Sequence, residues 1–281
     1  MTQESETVTV IGGGIMGRGI VIATLMNTEA RVTLVEANTD VHGRLATLIT
    51  EDCARRGSPE AHSRLSLIER VDLAPVADLI VEAVPEDHEL KTRVLRLAEG
   101  RLSGRGILAS NTSSLSITDL AASLEEPERF LGMHFFQPVP DTVLTEIILH
   151  PNVADTTVEY AAAWVEQLSR EAITATDTPG FATSRLGLAI GLEAIRMVEA
   201  GVASPEDIDR GMQLGYQHGI GPLRMTDMVG LDVRLAIAEY LAQTLGARFE
   251  PPALMRQMVA DGNLGRKSGQ GFFAWPAGEG E

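Results

Sequence analysis

The sequence predicts an α/β domain built on a parallel sheet, followed by an all-helical C-terminal domain. Short apolar, β-branched runs recur through the first part of the chain with helical patterns between them, as the strand–helix–strand units of a parallel sheet require. A glycine-rich turn follows the first of these runs directly. Past Asp177-Thr178-Pro179-Gly180 the strand pattern gives way to long amphipathic segments, and Pro179 and Gly180 punctuate the join. These observations divide the chain into domains 1–178 and 179–281.

In order, VTVI at 8–11 reads as the first strand, and it feeds a G-x-G-x-x-G turn made by Gly12, Gly14 and Gly17. Gly12 permits the tight turn, Gly14 lets a pyrophosphate approach the backbone, and Gly17 lets helix and strand pack closely. The helix then opening at Ile15 and Met16 offers N–H groups and a positive dipole end to phosphates. A second run, RVTLVE at 31–36, ends in Glu36, roughly 20 residues past the glycines, where a ribose-binding carboxylate belongs. Together these features read as a Rossmann-type dinucleotide site; a purely structural turn and a solvated strand-end acid are the competing readings. A carboxylate at Glu36 favours NAD, because it would repel the 2′-phosphate of NADP.

The arginine-rich stretch 38–69 reads as a helical excursion from the sheet, and further strands are expected at 79–84 and 107–110. After the latter comes Ser110-Asn111-Thr112-Ser113-Ser114, either a helix cap or hydroxyls clustered at the ligand-binding end of the sheet. The strand expected at 130–135 carries His134, which reads either as a satisfied core histidine or as a base. Glu146 lies in the next strand, at 143–149. An antiparallel pairing would set it beside His134, fixing the imidazole tautomer and raising its basicity. A helix at 155–169 and a strand at 172–176 complete the domain. Beyond the join, 181–200 and 223–245 read as long helices, and Ser204-Pro205-Glu206-Asp207 as a helix start.

Composition narrows the function. The formal net charge of the 281 residues is −16, which argues against nucleic acid or an anionic membrane as partner. Cys53 is the sole cysteine, so no intramolecular disulfide forms and a reducing compartment fits. The N-terminus is polar and acidic, and no stretch is long and apolar enough to span a bilayer. A soluble, cytoplasmic protein is expected, with no metal site.

Linked motifs in the order GGGIMGRGI, VEAVPEDHELK, ILASNTSSLSIT, GMHFFQPVP, DTPGFATSR, ASPEDID, GPLRMTDMVGLD and LGRKSGQGFF resemble the L-3-hydroxyacyl-CoA dehydrogenase family over nearly the whole chain, in particular its short bacterial 3-hydroxybutyryl-CoA form. The resemblance implies an NAD domain followed by a helical domain that forms a homodimer. It implies His134 as catalytic base, Glu146 as the carboxylate orienting it and Ser113 as the donor to the reacting oxygen. Gly12, Gly14, Ile15, Met16, Gly17, Glu36, Glu86, Lys91 and Asn111 would hold NAD, with Glu86 and Lys91 near the nicotinamide ribose. Read without the family, Glu86 and Lys91 are as well explained by an exposed first-turn acid and a helical ion pair; Lys267, the other lysine, reads as structural.

Two positions depart from the pattern. Gln137 stands where the family has the asparagine of H-F-F-N-P, and Ser184 where it has that of P-G-F-x-x-N-R; both are candidate substrate contacts. Arg44, Arg55, Arg56 and Arg64 replace a lysine-rich region that meets CoA phosphates in relatives. The implied reaction interconverts (3S)-3-hydroxyacyl and 3-oxoacyl thioesters of CoA, or of an acyl carrier protein. The alternatives are a dehydrogenase of another hydroxy substrate, and a non-catalytic NAD-binding structural protein.

Overall fold

A computed structural model of the chain describes residues 6–276. The polar residues 2–5 and the Gly/Glu tail after Pro276 lie outside the described residues. The chain divides into two compact units, Met1–Thr178 and Pro179–Glu281.

In the first unit the elements are β1 (Thr7–Ile11), α1 (Ile15–Asn27), β2 (Arg31–Val35), α2 (His42–Arg55), β3 (Leu65–Ile68), β4 (Ala77–Glu82) and α3 (His88–Glu99). They continue with β5 (Leu102–Ser110), α4 (Ile117–Ala121), β6 (Phe130–Phe135), β7 (Leu144–Leu149), α5 (Asp155–Gln167) and β8 (Glu171–Thr176). Among the described residues the strands form one sheet in the order β3-β2-β1-β4-β5-β6-β7-β8. Strands β1 to β6 run parallel; β7 is antiparallel to β6 and parallel to β8. The inner strands are buried on both faces, with Val8, Val10, Leu34, Leu79 and Val81 on one face and Thr9 and Ile80 on the other at zero exposure, which is why they read as nearly continuous apolar runs. Strand order reverses between β1 and β4. Ligands of such sheets bind outside the carboxyl ends of the strands at that crevice.

The stretch 38–69, expected as a helical excursion from the sheet, is helical only in part. Its middle is α2, but its last residues form β3, which pairs with β2 and closes one edge of the sheet. A four-residue, half-exposed edge strand carries too little alternation to stand out from its polar surroundings. The arginines there divide as well. Arg64 donates to the carbonyls of Leu25, Thr28 and Ala30, at and just beyond the C-terminal end of α1, where such groups lack helical partners. Arg56 forms a two-pronged pair with Asp141 at 2.7 and 3.1 Å, and Arg55 pairs with Asp52.

The second unit contains α6 (Thr183–Glu199), α7 (Pro205–Tyr216), α8 (Pro222–Val229), α9 (Leu231–Leu245) and α10 (Ala253–Ala260). Leu188, Leu192, Ile195, Leu223, Leu241 and Met255 form its core. The Ser204 hydroxyl caps α7 by accepting from the Asp207 N–H at 3.1 Å. The single helix expected over 223–245 is two helices, α8 and α9. They break at Gly230, whose φ of +102° an apolar periodicity count does not register. Asp227 is fully buried and accepts from the Phe272 and Phe273 N–H groups and the Trp275 indole, anchoring the glycine-rich segment to α8. Lys267 pairs with Asp232, a structural use. Among the described residues no helix is long and apolar enough to cross a membrane.

Candidate active site

The glycine turn after β1 forms a close-fitting cradle. Gly12 has a φ of +106° and its N–H donates to Val35 O at 2.8 Å. A Cβ on Gly17 would lie 1.8 Å from the Gly12 carbonyl, whereas one on Gly14 would meet nothing within 4 Å. Gly17 thus sets the close packing, and Gly14 leaves the approach to the helix open. No side chain caps α1 and no acid sits in its first turn, so its N–H groups and dipole suit a pyrophosphate. Ile15 projects from that first turn at 65% exposure, while Met16 packs against the core. Glu36, just past β2, accepts from the Gly13 N–H and the Asn38 N–H, each at 2.9 Å. Its carboxylate is therefore held against the glycine turn, and an acceptor there, beside the N–H groups of α1, fits a dinucleotide with unmodified ribose hydroxyls.

Beside this cradle lies a buried charge cluster that sequence reasoning identified only in part. Lys91 is 1% exposed. Its ammonium contacts Glu82 at 2.7 Å, the Val84 carbonyl at 3.1 Å and Glu86 at 3.3 Å. Glu82 was missed. It ends β4 at zero exposure and also accepts from the Ser110 hydroxyl at 2.6 Å and the Val84 N–H at 2.7 Å. The signal was present, since an acid inside an apolar strand needs a buried partner, and Lys91 is one of only two lysines.

Glu86 gathers the loop that follows β5. Its carboxylate accepts from the Thr112 hydroxyl at 2.5 Å, the Ser113 and Ser114 N–H groups at 3.0 Å and the Ser114 hydroxyl at 2.8 Å. The exposed Ser113 hydroxyl lies 3.5 Å from the same oxygen. Burial pushes the Glu86 carboxyl up, but the Thr112 hydrogen bond, the Lys91 charge and the Ser114 and Ser113 donors outweigh it. The group settles below its ordinary value. Its contribution to stability is thus present above the unfolded value and is lost only as pH falls through the lowered folded one.

His134 and Glu146 are register partners in the antiparallel β6–β7 pair. The imidazole Nδ1 lies 2.8 Å from the Glu146 carboxylate, with the side chains 9% and 0% exposed. Opposed residues of an antiparallel pair share a face, so strand geometry alone assembles this couple. Asn111 accepts from the Phe135 N–H at 2.9 Å, clipping the hydroxyl loop to the strand that bears His134. Gln137 is exposed in the turn after β6 and precedes a cis bond to Pro138. Ser184 belongs to the second unit, half-buried at the start of α6.

Family models match both units: the 3-hydroxyacyl-CoA dehydrogenase NAD binding domain over residues 7–178, and the C-terminal domain of the same enzymes over 180–275. A probable 3-hydroxybutyryl-CoA dehydrogenase of Bacillus subtilis (strain 168) is 36% identical over 280 residues, covering 96% of this chain and 97% of that protein. A 3-hydroxybutyryl-CoA dehydrogenase of Bradyrhizobium diazoefficiens is 35% identical over 277 residues, covering 95% and 94%. The crystal structure of (S)-3-hydroxybutyryl-CoA dehydrogenase from Ralstonia eutropha superposes with a TM-score of 0.91 at 36% identity, covering 97% of this chain and all of that one.

Proposed function

Because the chain belongs to the 3-hydroxyacyl-CoA dehydrogenase family, we propose that it oxidises short-chain (3S)-3-hydroxyacyl-CoA to the 3-oxoacyl form with NAD, and runs the reverse reduction. The observation that carries this reading is the buried His134–Glu146 couple, set on the same sheet as the glycine cradle. NAD, when bound, accepts the hydride from C3 of the substrate.

The protein supplies the rest. Glu146 holds Nδ1 of His134, so Nε2 takes the proton from the C3 hydroxyl, and the carboxylate stabilises the imidazolium that forms. Ser113 holds the substrate oxygen from a loop that Glu86 orders. Gly14 and the start of α1 bind the pyrophosphate, and Glu36 binds the ribose hydroxyls. Gln137, in the turn after the strand that bears His134, contacts the acyl portion. The helical unit exposes Leu186, Val202, Leu214 and Tyr216 at 63–75%, apolar surface that supports a homodimer formed through this unit.

Two outcomes follow. NAD is favoured over NADP by at least about tenfold in kcat/KM, because a 2′-phosphate beside the Glu36 carboxylate costs over ~1 kcal/mol; equal efficiency with both cofactors contradicts the role of Glu36. A panel of thioesters and free hydroxy acids, read as NADH absorbance, tests the substrate. (3S)-3-Hydroxybutyryl-CoA should exceed free 3-hydroxybutyrate by on the order of 10²-fold in kcat/KM, since binding the carrier contributes to the transition state. A free acid that performs equally removes the thioester reading.

A further inference from the structure

Arg234, in the second unit, opens a second line of chemistry that does not rest on the hydride-transfer reading. It sits in the first turn of α9 and is 8% exposed. One guanidinium nitrogen donates to the Gly187 carbonyl at 2.8 Å, and Nε has no hydrogen-bond partner. Burial alone lowers the group to about 10, with no carboxylate among the described residues acting on it. A buried charge without a counter-charge is among the costliest features a fold retains.

The surroundings are shaped around this side chain. Arg234 lines a cavity of about 440 Å³ within the second unit. Its other walls include Ile190, Ile220, Pro222 and Met225, with His218 as a second polar side chain. Two glycines of α6 make room: a Cβ at Gly191 would lie 3.1 Å from the Arg234 guanidinium, and one at Gly187 would project into open space.

We infer that this cavity is a binding site for a small-molecule carboxylate carried on an apolar stem. The guanidinium fork matches a carboxylate bidentately, and the aliphatic walls suit an alkyl chain. A single cation in an apolar wall balances one negative charge. A phosphate dianion would leave charge uncompensated in a poorly solvated space.

The test uses the full chain with hexanoate as probe, and chloride and inorganic phosphate at matched ionic strength as comparators. Saturating hexanoate raises the Tm of the wild type by at least about 2 °C, a shift that ligand linkage gives at concentrations well above Kd, while phosphate does no more than chloride. Arg234→Met loses this rise and, without hexanoate, melts no lower than the wild type, because an unpaired buried charge has been removed. Gly187→Leu keeps the arginine, fills the cavity and loses the rise as well. Three results overturn the proposal: no hexanoate response in the wild type; a response that persists in both variants; or an Arg234→Met protein whose oligomeric state changes, which would make a second copy of the chain the partner of Arg234.

Discussion

His134→Gln lowers turnover by roughly 10²-fold or more while NADH binding, followed by fluorescence, stays near the wild-type value. The glutamine amide can still donate to Glu146, so this substitution leaves no buried carboxylate stranded and separates chemistry from folding. It cannot take up a proton. His134→Ala gives the same kinetic loss and is also destabilised, because Glu146, at zero exposure, is left without the imidazole. Glu146→Gln keeps the shape of the pair and removes the charge that stabilises the imidazolium, so turnover falls by a smaller factor. A His134→Gln enzyme that retains most of its activity means that the base is another group.

The second large effect is on stability. In Lys91→Met, Glu82 remains at zero exposure with only the Ser110 hydroxyl and the Val84 N–H as donors. Stranding one partner of a buried ion pair costs about 3–5 kcal/mol, which lowers Tm by on the order of 10 °C in a protein of this size. Adding Glu82→Gln removes the stranded charge, and the double variant regains much of the loss. Activity falls together with stability, because Glu86 loses the ammonium that helps keep it ionised and the 112–114 loop loses its anchor. If Lys91→Met melts within a degree or two of the wild type, the Glu82–Lys91 pair does not bear on the fold as described.

What could be read in the sequence follows from what leaves a local signature. The glycine turn, the inner strands and the Ser204 cap each rest on a short pattern with one physical reading, and the His134–Glu146 couple follows from adjacent strands joined by a proline-rich turn. Strand β3 and the break at Gly230 left weaker traces. One is a four-residue edge strand without clear alternation; the other is a backbone conformation rather than a change in hydropathy. The Glu82–Lys91–Glu86 cluster spans a strand end and the helix after it, so only Glu86 and Lys91 stand out in the sequence, through the motif that resembles the family. In the fold Lys91 is buried against Glu82 and Glu86, a pairing that no local pattern announces. The arginines of 38–69 show the limit of counting charges, because Arg56 and Arg64 are committed to Asp141 and to backbone carbonyls.

The proposed reaction is decided by where the C3 hydrogen goes. Incubating the enzyme with NAD and (3S)-3-hydroxybutyryl-CoA deuterated at C3, followed by mass spectrometry of the NADH formed, follows that atom directly. Direct hydride transfer beside His134 places one deuterium in each NADH, and the label does not exchange with water. NADH without deuterium, or label recovered in the solvent, contradicts the account.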